Sequence, residues 1–236
     1  MADLDQLRQK LGFRSTQGSD RLAEAMTHRS FAVENHLDCD NQRLEFLGDA
    51  VLEIILTDYL FALYPDAQEG ELTKMRSALA RESTLAQLAT ELELGNFLRV
   101  GHGEAEAGGD HRASTLADLF EAVLGALYLN AGFDHTKRFF TELFSSHYPE
   151  PRVLLDVINP KGALQEFSQA RWGETPVYKV LHVEGPEHLP NYEVEVFLHD
   201  YVGRGTGHSR KLAECDAAQN LMKYFHSGEF EANDAI

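Results

Sequence analysis

Residues 41–52 read Asn41-Gln42-Arg43-Leu44-Glu45-Phe46-Leu47-Gly48-Asp49-Ala50-Val51-Leu52. Apolar residues recur at helical spacing from Gln42 to Leu63, so the stretch opens a long helix. Glu45 and Asp49 are four apart and point off one face of it. Like charges at that spacing destabilise a helix by about 0.2–0.5 kcal/mol. Their neighbours are almost all apolar, which implies partial burial, and burying unpaired carboxylates costs far more. A cation should therefore sit between them. Arg43 is close in sequence but lies on a different face.

A second pair stands in Ser114-Thr115-Leu116-Ala117-Asp118-Leu119-Phe120-Glu121-Ala122-Val123-Leu124-Gly125. Asp118 and Glu121 are three apart and are the only charges between Arg112 and Asp134. Gly125 continues their face one turn on, where it would let another helix approach closely. Two apolar helices could pack so that both pairs converge. Four carboxylates around one cavity suit Mg²⁺, a hard cation that takes oxygen ligands. Mg²⁺ with carboxylates and substrate phosphate is the usual chemistry of phosphodiester hydrolysis. The plainer reading, two solvated acidic faces, stays open on spacing alone.

Working outward, residues 1–148 read as nearly all helix. Further helical periodicity falls in Asp5–Leu11, Arg21–Thr27, Leu72–Leu94, Thr115–Ala131 and Thr136–Phe144. Gly12, Pro65 and Gly95 mark breaks, and the glycine-rich 101–112 reads as a surface loop. Residues 149–159 hold two prolines and read as a linker. Asn159-Pro160 then has the form of a helix start. After it come strand-like runs at Pro176–Val183, Asn191–Leu198 and Tyr201–Gly205, then a helix over Ser209–Phe225. The expected architecture is an all-α domain (1–148), a linker, a small α-β-β-β-α domain (160–228), and a disordered tail (229–236).

The net charge of −17 argues against a generally basic nucleic-acid binder. The acid is concentrated in 1–148, with 13 Lys/Arg against 24 Asp/Glu. Residues 160–228 hold 7 against 9, so a local basic stripe fits there. No run of about 18 apolar residues marks a membrane span. The N-terminus lacks a signal-peptide core, so a cytoplasmic location is the expectation. Cys39 and Cys215 fall in different expected domains, which disfavours a disulfide. His36 with Cys39 alone does not make a zinc site.

The 41–52 segment resembles the signature of the ribonuclease III family. Thr27-His28-Arg29-Ser30-Phe31, Glu69-Gly70-Glu71-Leu72-Thr73, and Gly108-Gly109 with Ser114–Ala122 resemble further segments of that family, in order. The resemblance implies a homodimeric, Mg²⁺-dependent endonuclease of double-stranded RNA, with Mn²⁺ as a possible substitute. In-line attack of water would leave 5′ phosphates, 3′ hydroxyls and short 3′ overhangs. It assigns Glu45, Asp49, Asp118 and Glu121 to the metal site, with Asp49 and Glu121 catalytic. It places Glu69 at the cleavage cleft, where a helix-dipole acid is the bland alternative. Gln42 departs from the Glu of many members: an amide accepts a hydrogen bond but supplies no charge. Precursor ribosomal RNA and structured messages are the implied substrates.

Residues 160–226 resemble a double-stranded-RNA-binding domain, with Gly205-Thr206-Gly207-His208-Ser209-Arg210-Lys211 as its glycine-rich turn and basic helix start. Free N–H groups at a helix N-terminus attract phosphate. Such modules read duplex shape over about 16 bp. The resemblance assigns RNA contacts to Gln165, Glu166, His188, Ser209, Arg210 and Lys211. Glu214 stands where many such modules carry Lys. Trp172 reads as packing. The competing function is a protein that binds duplex RNA without cutting it. A nucleotide phosphohydrolase is a second alternative.

Overall fold

The computed structural model describes residues 4–13, 20–186 and 189–227. Two units divide the chain, 1–150 and 151–236. His188 and the expected tail lie outside the described residues.

The first unit is helical: α1 (Leu4–Leu11), α2 (Arg21–Ala25), α3 (Arg29–Glu34), α4 (Gln42–Leu63), α5 (Glu69–Leu79), α6 (Glu82–Glu91), α7 (His102–Glu106), α8 (Ala113–Ala131) and α9 (Phe133–His147). α4 and α8 form its centre and lie against each other. α8 is apolar nearly all round, as a helix buried between others must be. Phe120 of α8 meets Phe140 and Phe144 of α9 edge-on, with centroids 5.1 and 6.2 Å away. Such pairs add about 0.5–1.5 kcal/mol beyond their area burial. No helix among the described residues is long and apolar enough to cross a membrane.

Three local expectations need correction, and one short helix, α3, carried no signal in the sequence. The periodic run Leu72–Leu94 is two helices, α5 and α6, because Arg81 turns extended (φ −70°, ψ 142°) and the Thr84 hydroxyl donates to the Ala78 carbonyl. Apolar spacing continues across this turn, so periodicity does not register it. The 101–112 segment is not an open loop: it holds α7 and a 3₁₀ turn, Gly109–His111. α3 has too few apolar positions to show a period, yet His28 caps it by accepting from the Ser30 N–H. The expected linker 149–159 carries α10 (Pro151–Ile158), which packs on the second unit's helices. Pro151 stands at its first residue, where the missing N–H costs nothing. Asp156 of α10 pairs with His226 at 3.3 Å.

The second unit continues with α11 (Pro160–Trp172), β1 (Val177–Glu184), β2 (Asn191–Leu198), β3 (Tyr201–Gly207) and α12 (Arg210–His226). Asn159 caps α11 by accepting from the Gly162 N–H, with Pro160 following. The strands form an antiparallel sheet in the order β1-β2-β3, with a register shift between Val180 and His182. Val194, Val196 and Leu198 turn inward against Leu164, Ala213, Ala217, Leu221 and Phe225. Trp172 packs edge-on to Phe167. A Cβ at Gly205 would lie 2.1 Å from the Ala217 nitrogen, so the β3 glycine lets α12 lie directly on the sheet.

Candidate active site and RNA-binding face

Two glycines decide where the carboxylates go. A Cβ at Gly48 would sit 1.8 Å from the Glu121 carbonyl oxygen, and one at Gly125 would sit 2.2 Å from the Leu44 carbonyl oxygen. Backbones of α4 and α8 therefore touch at this crossing. The contact brings Glu45 beside Asp118 and Glu121, with one oxygen from each within 4.8 Å of the others. Among the described residues this is the one group of three or more His, Cys, Asp or Glu placed to share an ion. Asp49 is exposed and outside that triplet, but its charge acts on both Glu121 and Glu45.

Among the described residues no Lys, Arg or His forms an ion pair with Glu45, Asp118 or Glu121. Burial, then the charges of Asp49, Asp118 and Glu45, push the Glu121 carboxyl up to about 7. Burial followed by Asp118, Asp40 and Asp49 raises Glu45. Asp118 is raised by burial and by Glu82, against which His28 acts in the lowering direction. Oxygen donors that repel one another, with Glu121 taking up a proton near neutrality, fit a hard divalent cation. Arg43, exposed on α4, does not fill that role.

The Thr27–Ser30 segment holds the site's surroundings together. The Thr27 carbonyl accepts from the Asn41 N–H just before α4. The His28 N–H donates to the Arg99 carbonyl, and Ser30 Oγ accepts from the Gly101 N–H at 2.8 Å. Glu34 accepts from the His102 N–H at 2.8 Å. Sequence reasoning missed His28 and Glu82 as neighbours of Asp118, since one arrives from the cap of α3 and the other from the start of α6, and only tertiary structure brings them there.

Gln42 is exposed and accepts from the Arg29 guanidinium at 3.2 Å. Glu69 is the first residue of α5, exposed, and accepts from the Thr73 hydroxyl at 3.0 Å. Neither joins the triplet.

In the second unit, Gln165 and Glu166 are exposed on α11. Ser209 caps α12, its hydroxyl accepting from the Leu212 N–H at 3.2 Å. Arg210 and Lys211 follow as the exposed first residues of the helix. Both cysteines are free thiols.

Residues 19–147 match the family described as ribonuclease-III-like, and residues 160–224 match the double-stranded RNA binding motif. A protein named Ribonuclease 3 from Moorella thermoacetica is 44% identical over 201 residues, covering 84% of this chain and 85% of that protein. Another Ribonuclease 3, from Dehalococcoides mccartyi, is 39% identical over the whole of both chains. The nuclease domain of ribonuclease III from Campylobacter jejuni aligns with a TM-score of 0.57 and 37% identity, over 62% of this chain and 99% of that one. Fold, acidic triplet and duplex-binding module together define a metal-dependent ribonuclease. The chain belongs to the ribonuclease III family, and its activity is that of an endoribonuclease acting on double-stranded RNA.

Proposed function

We propose that the chain hydrolyses double-stranded RNA with Mg²⁺ held by Glu45, Asp118 and Glu121, with Asp49 at the edge of the same site. The observation that carries this reading is the convergence of three carboxylates at the α4–α8 crossing. Mg²⁺, when bound, supplies positive charge for the scissile phosphate and the departing 3′ oxygen. Asp49 and Glu121 hold and orient the attacking water, and α4 and α8 fix them rigidly. Glu69 and Gln42 flank the cleft. Products carry 5′ phosphates and 3′ hydroxyls with short 3′ overhangs. Mn²⁺ substitutes because it too accepts oxygen ligands.

The working form is a homodimer through α4. Leu44, Val51, Leu52, Ile55 and Leu56 face the protomer's own core, whereas Phe46, Ile54 and Phe61 are exposed. The Campylobacter structure is described as showing flexibility in a region involved in dimer formation. The duplex is gripped by Gln165 and Glu166 of α11, by His188, and by Ser209, Arg210 and Lys211 at the start of α12. Precursor ribosomal RNA and structured messages in the cytoplasm are the substrates.

Cleavage of a long, fully paired RNA is the test, run with Mg²⁺, with EDTA, and with Glu121→Ala plus Mg²⁺. Short duplex fragments bearing 5′ phosphates, from the unaltered protein with Mg²⁺ alone, are expected. Equal cutting by Glu121→Ala would overturn the site assignment.

A further inference from the structure

At the start of α12 the second unit holds a three-charge arrangement that the reaction does not require. Glu214 is buried, its side chain 10% exposed, and it receives two cations from different helices. Lys161 Nζ of α11 lies 2.5 Å from Glu214 Oε2, and Arg210 Nε of α12 lies 2.8 Å from Glu214 Oε1. Lys161 is also set over the Tyr178 ring, 4.4 Å from its centroid. The two cations hold the Glu214 carboxyl below its ordinary range despite its burial, so the anion persists at neutral pH. Lys211, one residue on, is exposed and has no ion pair among the described residues.

We infer that Glu214 acts as an internal stand-in for phosphate, drawing Arg210 and Lys161 away from the RNA backbone and damping the duplex affinity of this module. The inference rests on the reading above, that the start of α12 faces RNA phosphate. A phosphate approaching the free N–H groups of α12 has to compete with a carboxylate already bound between both cations. Charge-assisted pairs of this length are the strong class of hydrogen bond. The buried carboxylate is fixed by the fold and gives up no counterion on pairing, unlike a phosphate on RNA. Lys211 is thus the cation at this helix start that meets phosphate without exchange. The four charges Lys161, Arg210, Lys211 and Glu214 sum to +2, and that sum is what the RNA backbone senses.

The test is binding of the full chain to an RNA duplex of about 24 bp, long enough for one module, in EDTA so that no cutting occurs, across a salt series. Glu214→Gln keeps the shape and removes the charge. It is expected to tighten binding about fivefold at 0.1 M salt. It should also steepen the plot of log affinity against log salt by about 0.9, one added phosphate contact. Arg210→Gln should weaken binding less in the unaltered chain than in the Glu214→Gln background, where it should also cancel the gain in slope. A purely structural clamp between α11 and α12 would lower the melting temperature of Glu214→Gln and leave the salt slope where it was. Unchanged or weaker binding by folded Glu214→Gln would overturn the inference. Lys211→Gln serves as the control for the underlying reading: its loss should weaken binding and flatten the slope by about 0.9. If Lys211→Gln does nothing, the start of α12 is not the phosphate contact, and both readings fail together. Should Glu214→Gln not fold, Arg210→Gln alone decides. A loss of slope smaller than that of Lys211→Gln supports the inference, and an equal loss of about 0.9 overturns it.

Discussion

Gly48 and Gly125 face each other across the crossing of α4 and α8, where a Cβ on either would come within 3.0–3.1 Å of the other's backbone nitrogen. The nearer obstacles are carbonyl oxygens, at 1.8 and 2.2 Å. Backbone cannot swing aside as a side chain can. Alanine at either position is favoured by helix propensity by about 1 kcal/mol, but steric overlap with backbone outweighs that. Gly48→Ala and Gly125→Ala should each cost about 1–3 kcal/mol or more. Each should also separate Glu45 from Glu121 and reduce cleavage. Urea unfolding and duplex cleavage, measured side by side, check both parts. A folded, fully active Gly48→Ala would show that the crossing does not set the site.

The acidic triplet makes a pH prediction for the metal-free protein. Glu121 titrates at about 7 in the folded chain, above its ordinary carboxylate value. The folded state therefore binds a proton that the unfolded state has released, and stability falls as pH rises through 7. Replacement by Gln removes that dependence. In EDTA at pH 8, Glu121→Gln should be more stable than the parent by about 1 kcal/mol, screening by solvent included. At pH 5 the two should converge. Melting curves between pH 5 and 8.5 test this, and a parent that stabilises on going from pH 6 to 8 would refute it.

Metal uptake should run in the opposite sense. On the proposed assignment Mg²⁺ replaces a proton at the triplet, so its thermal stabilisation of the protein should grow with pH between 6 and 8. Glu121→Gln, though more stable when empty, should lose most of this metal response. Its cleavage rate should fall by on the order of 10²–10³ or more.

Phe46 is 82% exposed and Phe61 71% exposed on α4, while Phe140 is fully buried. Phe46→Asp is expected to leave the helical circular-dichroism signal intact and to halve the mass seen by analytical ultracentrifugation. Phe140→Ala, by contrast, empties the ring cluster around Phe120 and should cost about 3–5 kcal/mol. A dimeric Phe46→Asp protein would remove α4 as the self-association surface.

The elements most legible in sequence were those whose residues carry a local signal. α4 shows its apolar period over the whole of Gln42–Leu63, and α11 announces itself through Asn159-Pro160. β2 alternates cleanly because one of its faces is buried. α3 and α7 are six and five residues long, too short for a period, and owe their form to the His28 cap and to the turn at Gly108. α10 was obscured because Pro149 and Pro151 suggest a linker, although a proline at a helix start reads equally well. The convergence of Glu45, Asp118 and Glu121 could be suspected from two acidic pairs and Gly125. That Asp49 stands outside the triplet could not, because side-chain reach depends on the crossing itself. Likewise Glu214 looks like a plain loss of positive charge until Lys161, 53 positions earlier, is brought beside it.

Glu45 and Glu121 meet at a backbone contact, yet 76 positions of chain separate them. At roughly 5–20 residues per second, a ribosome takes about 4–15 s to pass from one to the other. On the proposed assignment, the nascent chain throughout that interval holds the first carboxylates of its site and lacks the others. Synthesis order therefore withholds cutting power until α8 has emerged and closed on α4. A translating message, with its own paired segments close by, meets no finished nuclease in the chain it is still making.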